Sequence, residues 1–156
     1  MLASIASAVV RGADGHPVTV EVHIAPGLPG LAIVGLPDAS CREARDRVRA
    51  AVTAAGVPWP AKRITVNLAP SADKKVGSGL DLAMAVAILV ANEDLAAAEV
   101  AGLAFLGELG LDGTVRPVPG IVPMVDAVQA DIVVVPVASA ADAELVAIVE
   151  LATRRD

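Results

Sequence analysis

The densest set of side chains able to do chemistry lies in the run Asn67-Leu68-Ala69-Pro70-Ser71-Ala72-Asp73-Lys74-Lys75-Val76-Gly77-Ser78-Gly79-Leu80-Asp81-Leu82. It reads as a strand delivering a glycine-containing loop to the start of an apolar helix. Free amides and the helix dipole at such a start favour an anion or an activated hydroxyl. Lys74, Lys75, Gly77, Ser78 and Gly79 therefore form a candidate anion or interaction loop. The same residues also suit a plain cap and tight turn, since serine and glycine are generic at both. The loop is not a Walker A motif, which needs GxxxxGK[ST]; no Gly-Lys pair occurs in the sequence.

Arg42, Arg45 and Arg49 recur at i, i+3 and i+7, one stripe beside the apolar face of a helix, while Glu43 and Arg47 are spaced as an i, i+4 ion pair. Such a stripe is either a solvated helix face or a contact for a neighbouring subunit or DNA. Arg63, Lys74 and Lys75 could extend it. His16 in a turn and His23 on the polar side of a strand read as surface residues, Trp59 between two prolines as an anchor of its connection, and Phe105 as core. No His/Asp/Glu cluster has metal-ligand spacing, and neither CxxC nor HExxH occurs, so no metal or cofactor is expected on this chain. Cys41 is the sole cysteine and cannot form an internal disulfide.

These residues need elements to position them. Val18, Val20, Val22 and Ile24 alternate with Thr19, Glu21 and His23, which marks a half-buried strand. Ser4 to Val10 pairs with it as a hairpin across the Ala13 to Pro17 turn, and Leu31 to Val34 is a short third strand. A helix follows Pro37, with Asp38 or Ser40 as N-cap. Ser40-Cys41-Arg42-Glu43 fits a capping box. Cys41, Ala44, Val48, Ala51, Val52 and Ala55 form the buried face of that helix, which ends at Gly56 and Pro58. Ile64, Val66 and Leu68 mark a fourth strand, and an almost wholly apolar helix runs from about Leu80 to Asn92. Leu103 to Leu109 and Thr114 to Val118 read as strands joined through Asp112-Gly113, a hairpin signal. A helix from about Ile121 to Gln129, a strand Ile132 to Val135 and a last helix from Ser139 to about Leu151 complete the order β-β-β-α-β-α-β-β-α-β-α. The class is α/β, as an α+β two-layer fold: a mixed sheet with helices packed mainly on one face.

The chain has 156 residues, within the size of one domain, read as residues 1–153 with a short tail at 154–156. Acidic residues outnumber basic ones 18 to 12, which argues against a broad basic nucleic-acid surface. Aromatics are 1% of residues, too few for a base-stacking platform. No apolar run approaches the roughly 20 residues of a membrane span. The apolar start, Leu2 to Val10, is followed by Arg11 and preceded by no basic residue, the reverse of a signal peptide. Together these lead to an expectation of a soluble, cytoplasmic protein without a membrane partner.

Val20-Glu21-Val22-His23-Ile24 with Gly27-Leu28-Pro29-Gly30, then Val34-Gly35-Leu36-Pro37-Asp38 leading into Glu43-Ala44-Arg45-Asp46-Arg47-Val48-Arg49, resemble the N-terminal domain of the magnesium-chelatase-related AAA+ family known as YifB or ComM. Further matches are Pro60 through Pro70, Gly77-Ser78 with Asp81-Leu82, Leu106-Gly107-Glu108-Leu109, Gly113 and Pro117-Val118-Pro119-Gly120, in family order over almost the whole chain. The resemblance implies a ribosomal protein S5 domain 2-like fold, shared with the proteolytic domain of Lon. It also implies a hexameric ATP-driven branch-migration helicase in DNA uptake and recombination, whose ATP and Mg²⁺ belong to an AAA+ module outside this chain. The partners implied are that module, the other subunits and DNA. Beside this stand a Lon-like peptidase, in which the likeness to Lon implies a lysine amine activating Ser78, a small-molecule kinase of the GHMP type and a stand-alone protein- or anion-binding module. Aligned on Gly113, Val115, Pro117 and Gly120, the Lon lysine falls on Val122, which cannot accept a proton. The kinase loop is echoed only by Gly79-Leu80 and the preceding Gly-Ser, and Asp81 would repel a phosphate. The expectation is a non-catalytic accessory domain.

Overall fold

A computed structural model describes residues 1–136; the helix expected from Ser139 to about Leu151 lies outside them. Strands β1 (Leu2–Arg11), β2 (Asp14–Ala25), β3 (Gly30–Val34) and β4 (Arg63–Ala69) are followed by β5 (Leu103–Phe105) and β8 (Ile132–Val134) in one six-stranded mixed sheet, ordered β3-β4-β2-β1-β5-β8. β1 and β2 form the expected hairpin, with Ile5 opposite Val20 and Leu2 opposite His23. β6 (Glu108–Leu109) and β7 (Val115–Arg116) form a separate two-stranded sheet across the Asp112-Gly113 turn. The helical segments are α1 (Ala39–Arg42), α2 (Ala44–Ala54), α3 (Asp81–Ala91), α4 (Ala97–Val100) and α5 (Ile121–Ala127).

The alternation read in the sequence becomes the two faces of this sheet. Val18, Val20, Val22, Ile24, Ile64, Val66 and Leu68 are buried beneath α2 and α3. Every residue of α3 is buried, as its apolar run from Leu82 to Ala91 requires, and each fully covered Leu, Ile or Met contributes about 1.5–3 kcal/mol. The opposite face is partly covered as well. α5 packs on β1 and β2 around Ala8, Leu106 and Met124. It approaches the hairpin so closely that a Cβ at Gly15 would lie 2.0 Å from the Pro123 carbonyl oxygen.

Two local expectations are corrected, and one further element is found. Leu103 to Leu109 is not one strand: the chain leaves the large sheet after Phe105, turns at Gly107 with φ +155° and enters β6. The capping box does not form. The Asp38 carboxylate takes the Cys41 amide at 2.7 Å, and the helix is interrupted at Glu43, whose side chain turns to Arg47 instead. The short helix α4 was not read from the sequence, having less than two turns of periodicity.

Candidate functional site

The loop between β4 and α3 is held against the segment following β3. Gly35 has φ +104°, and a Cβ there would stand 2.3 Å from the Leu68 carbonyl oxygen, so only glycine brings the two segments this close. The Lys75 amide donates to the Leu36 carbonyl at 2.9 Å, and the Asp38 amide to the Lys75 carbonyl at 2.8 Å. Asp38 completes the tie: one carboxylate oxygen caps α1 at Cys41, while the other accepts the Gly77 amide at 3.2 Å.

Of the five residues proposed for this loop, Lys75 is fully buried. Its ammonium donates to the carbonyls of Pro70 and Asp73, the latter at 2.6 Å. Burial lowers its pKa, and the Asp73 charge opposes that. Lys74 is exposed, Ser78 is half-buried, and Gly79 sits under Met124 and Val118. Thus the loop's inner lysine and the Gly77 amide are engaged within the protein. No hydrogen bond joins Lys75 to Ser78 among the described residues. Val122 is 68% exposed on α5.

Beside the loop lies a pair that sequence reasoning missed. Asp81, at the first turn of α3, is fully buried and receives Arg47 in two-point fashion: Nε to Oδ2 at 2.6 Å and Nη2 to Oδ1 at 3.1 Å. The Leu109 amide donates to the same carboxylate at 3.1 Å, and Arg47 also reaches the Ser40 carbonyl at 2.8 Å and Glu43 at 3.3 Å. Burial pushes the Asp81 carboxyl above the usual aspartate range, and Arg47 and the Leu109 amide pull against it. For Arg47, burial works against the charge, but bonding to Asp81 prevails and raises the guanidinium pKa. One carboxylate thus pins α2, α3 and β6 together. A signal was present in Asp81 itself, an acid at the head of an otherwise apolar helix. Its partner, 34 positions away, carried none beyond the local pairing with Glu43.

Cys41 is enclosed nearby. Burial, and after it the charges of Asp38 and Asp81, push its thiol up to about 12. Within the described residues no group of three or more His, Cys, Asp or Glu side chains could hold a metal ion.

The arginine stripe is divided by the structure. Arg42, Arg45 and Arg49 are all exposed, but Arg42 belongs to α1, before the interruption at Glu43. Arg45 and Arg49 line an open groove of about 460 Å³ with Asp46, Trp59, Pro60, Ala61 and the start of β3, Pro29 to Leu31. Arg63 is exposed on β4 and Lys74 on the loop, and neither lines that groove.

With this geometry, the comparisons are consistent with one another. The family model described as "Subunit ChlI of Mg-chelatase" matches residues 20–139. The chain is 50% identical over 109 residues to the uncharacterized protein YifB of Escherichia coli, covering 70% of this chain and 22% of that protein. It is 44% identical over 128 residues to the competence protein ComM of Haemophilus influenzae, covering 82% and 25%. The chain belongs to the Mg-chelatase-related YifB/ComM family, as a form of its N-terminal domain. An uncharacterized protein of Mycobacterium tuberculosis is 48% identical over 143 residues, 90% of this chain and 28% of that one. The chain thus spans about a quarter of the length of these relatives. Among the described residues of this family member, no helix is long and apolar enough to cross a membrane.

Proposed function

We propose that this chain is a non-catalytic accessory domain of a cytoplasmic AAA+ ATPase. In this reading the full-length protein is a homo-hexameric, ATP-dependent branch-migration helicase acting in DNA uptake and recombination. The observation that carries it is the 44% identity to a protein named for competence, of which this domain covers only 25%. ATP and Mg²⁺ would be held outside this chain, which offers no Gly-Lys pair to cradle a phosphate. The domain's own part is mechanical. The Arg47–Asp81 pair and the Asp38 tie stiffen one end of the fold, so that force or geometry passed from the ATPase reaches a surface that does not yield. The exposed Arg42, Arg45 and Arg49 would face a neighbouring subunit, and six copies in a ring would add weak attractions by multivalency.

The test compares full-length protein with a version lacking residues 1–136. Retained ATP hydrolysis with impaired branch migration supports the accessory role. Unimpaired branch migration overturns it. The isolated chain is expected to hydrolyse neither ATP nor peptides and to bind DNA weakly at most. Peptide cleavage lost in Ser78→Ala would replace this reading with the peptidase one.

A further inference from the structure

β3 is an edge of the large sheet, paired with β4 alone and flanked by exposed apolar residues: Leu28 is 88% exposed, Val34 44% and Leu36 54%. Gly30 donates its amide to the Lys62 carbonyl at 3.3 Å. Alternation then turns the amides and carbonyls of Gly30, Ala32 and Val34 toward β4, and those of Leu31 and Ile33 toward the open side. From Gly27 to Pro37 there is no charged residue. Sheet edges are ordinarily blunted by lysine, proline within the strand or a covering element, and the strand itself has none of these. The Leu31 and Ile33 backbone groups have no backbone partner on that side among the described residues.

Helix α2 supplies a second, independent feature. β3 and β4 are parallel, and α1 and α2 form the crossover between them, so the helix axis runs roughly along the strands. Arg47 points to α3, where it meets Asp81. At 3.6 residues per turn, Arg45 and Arg49 lie about 160° from Arg47 around the axis, on the flank away from α3 and over the side where β3 is open. Neither has an ion-pair partner among the described residues, and the groove they line begins at β3 itself. With Asp46 alone opposing them, the groove is net cationic. Their separation along the helix is about 6 Å. Alternate residues of an extended chain are about 6.6–6.8 Å apart on one face.

We propose that this edge and groove bind an extended, acidic polypeptide segment by strand addition: its backbone pairs with Leu31 and Ile33, and carboxylates two residues apart meet Arg45 and Arg49. The open backbone edge favours a polypeptide over a nucleic acid, which has no complementary ladder of amides and carbonyls. The site is independent of whether the full-length protein is a helicase.

Trp59 is the sole tryptophan and lines the groove, so its fluorescence reports occupancy. The probe is a capped, alternating Glu-Val octapeptide titrated into the chain, with a Lys-Val octapeptide, a dT12 oligonucleotide and a dilution series of the protein alone as the other arms. Saturable, salt-sensitive binding of the Glu-Val peptide is expected, weakened about tenfold or more by Arg45→Ala/Arg49→Ala, a variant whose far-UV circular dichroism should be unchanged. Two N-methylated forms read the pairing directly. Methylating the Glu amides or the Val amides blocks opposite edges of the peptide, so strand addition requires that one form lose binding and the other keep it. The proposal fails if both methylated forms bind alike, if the Lys-Val peptide binds equally well, or if dT12 binds at this site in its place. It also fails if Trp59 emission changes with protein concentration alone, which would assign the edge to a second copy of the chain.

Discussion

Arg47 and Arg45 stand two residues apart on α2, yet one is locked into the interior and the other is open to solvent. Arg47 serves a fully buried carboxylate and two further acceptors. Arg45, with Arg49, borders a groove with no ion-pair partner among the described residues. The difference teaches that charge type on a helix says little about role; the neighbour on each flank decides. Toward α3 Arg47 meets a carboxylate that cannot stay buried unpaired, so the pair is structural. Toward the β3 edge there is water, so the charge is available to a partner.

The sharpest way to break this contrast is to remove the buried acid. Asp81→Ala leaves Arg47 and the Leu109 amide without their acceptor and should cost about 3–5 kcal/mol in urea unfolding. The double variant Arg47→Met/Asp81→Leu should recover much of that loss, because an apolar pair leaves no charge unpaired. A cost below about 1 kcal/mol for Asp81→Ala would remove the pair from its structural role.

The enclosed thiol gives a pH-dependent test of the same region. The Cys41 pKa is raised from 9.0 to about 12, so between these values the native state keeps a proton that the unfolded state has lost. Stability should therefore fall as pH rises through that window, by a few kcal/mol at its alkaline end, on the order set by about 1.4 kcal/mol per pH unit. Unfolding midpoints measured at pH 8 and pH 10.5 should separate more for the natural protein than for Cys41→Ala. Parallel slopes would show that the thiol titrates as freely as in the unfolded chain.

Smaller effects follow at the tie and at the outer flank. Asp38→Ala removes the α1 cap and the Gly77 acceptor together, for an expected loss of about 1–2 kcal/mol, with faster hydrogen exchange at Cys41 and Gly77. Protection unchanged at both amides would mean that the loop is held without it. Arg45→Ala and Arg49→Ala should shift stability by no more than about 0.5 kcal/mol. A larger loss in thermal unfolding would make them part of the scaffold and end the contrast with Arg47.

Much of the architecture was determined by the sequence alone. Strict alternation in Val18 to Ile24 and Arg63 to Leu68 assigned the buried face of the central strands, because a strand's period of two leaves no choice once one face is apolar. The composition of α3 implied a helix covered on all sides, and Asp112-Gly113 marked the small hairpin. The family motifs were legible for the same reason, being local runs. Tertiary structure decided everything that depends on distant partners. Whether Lys75 faces solvent or the Pro70 and Asp73 carbonyls, and that Asp81 receives Arg47, depend on segments that meet only when the sheet is assembled. So does the division of the arginine stripe. Helical spacing placed Arg42, Arg45 and Arg49 together, but the Asp38 cap and the interruption at Glu43 fix where α2 begins, and packing against α3 fixes which flank faces the open edge. Periodicity is a property of neighbours in sequence; pairing energy belongs to neighbours in space.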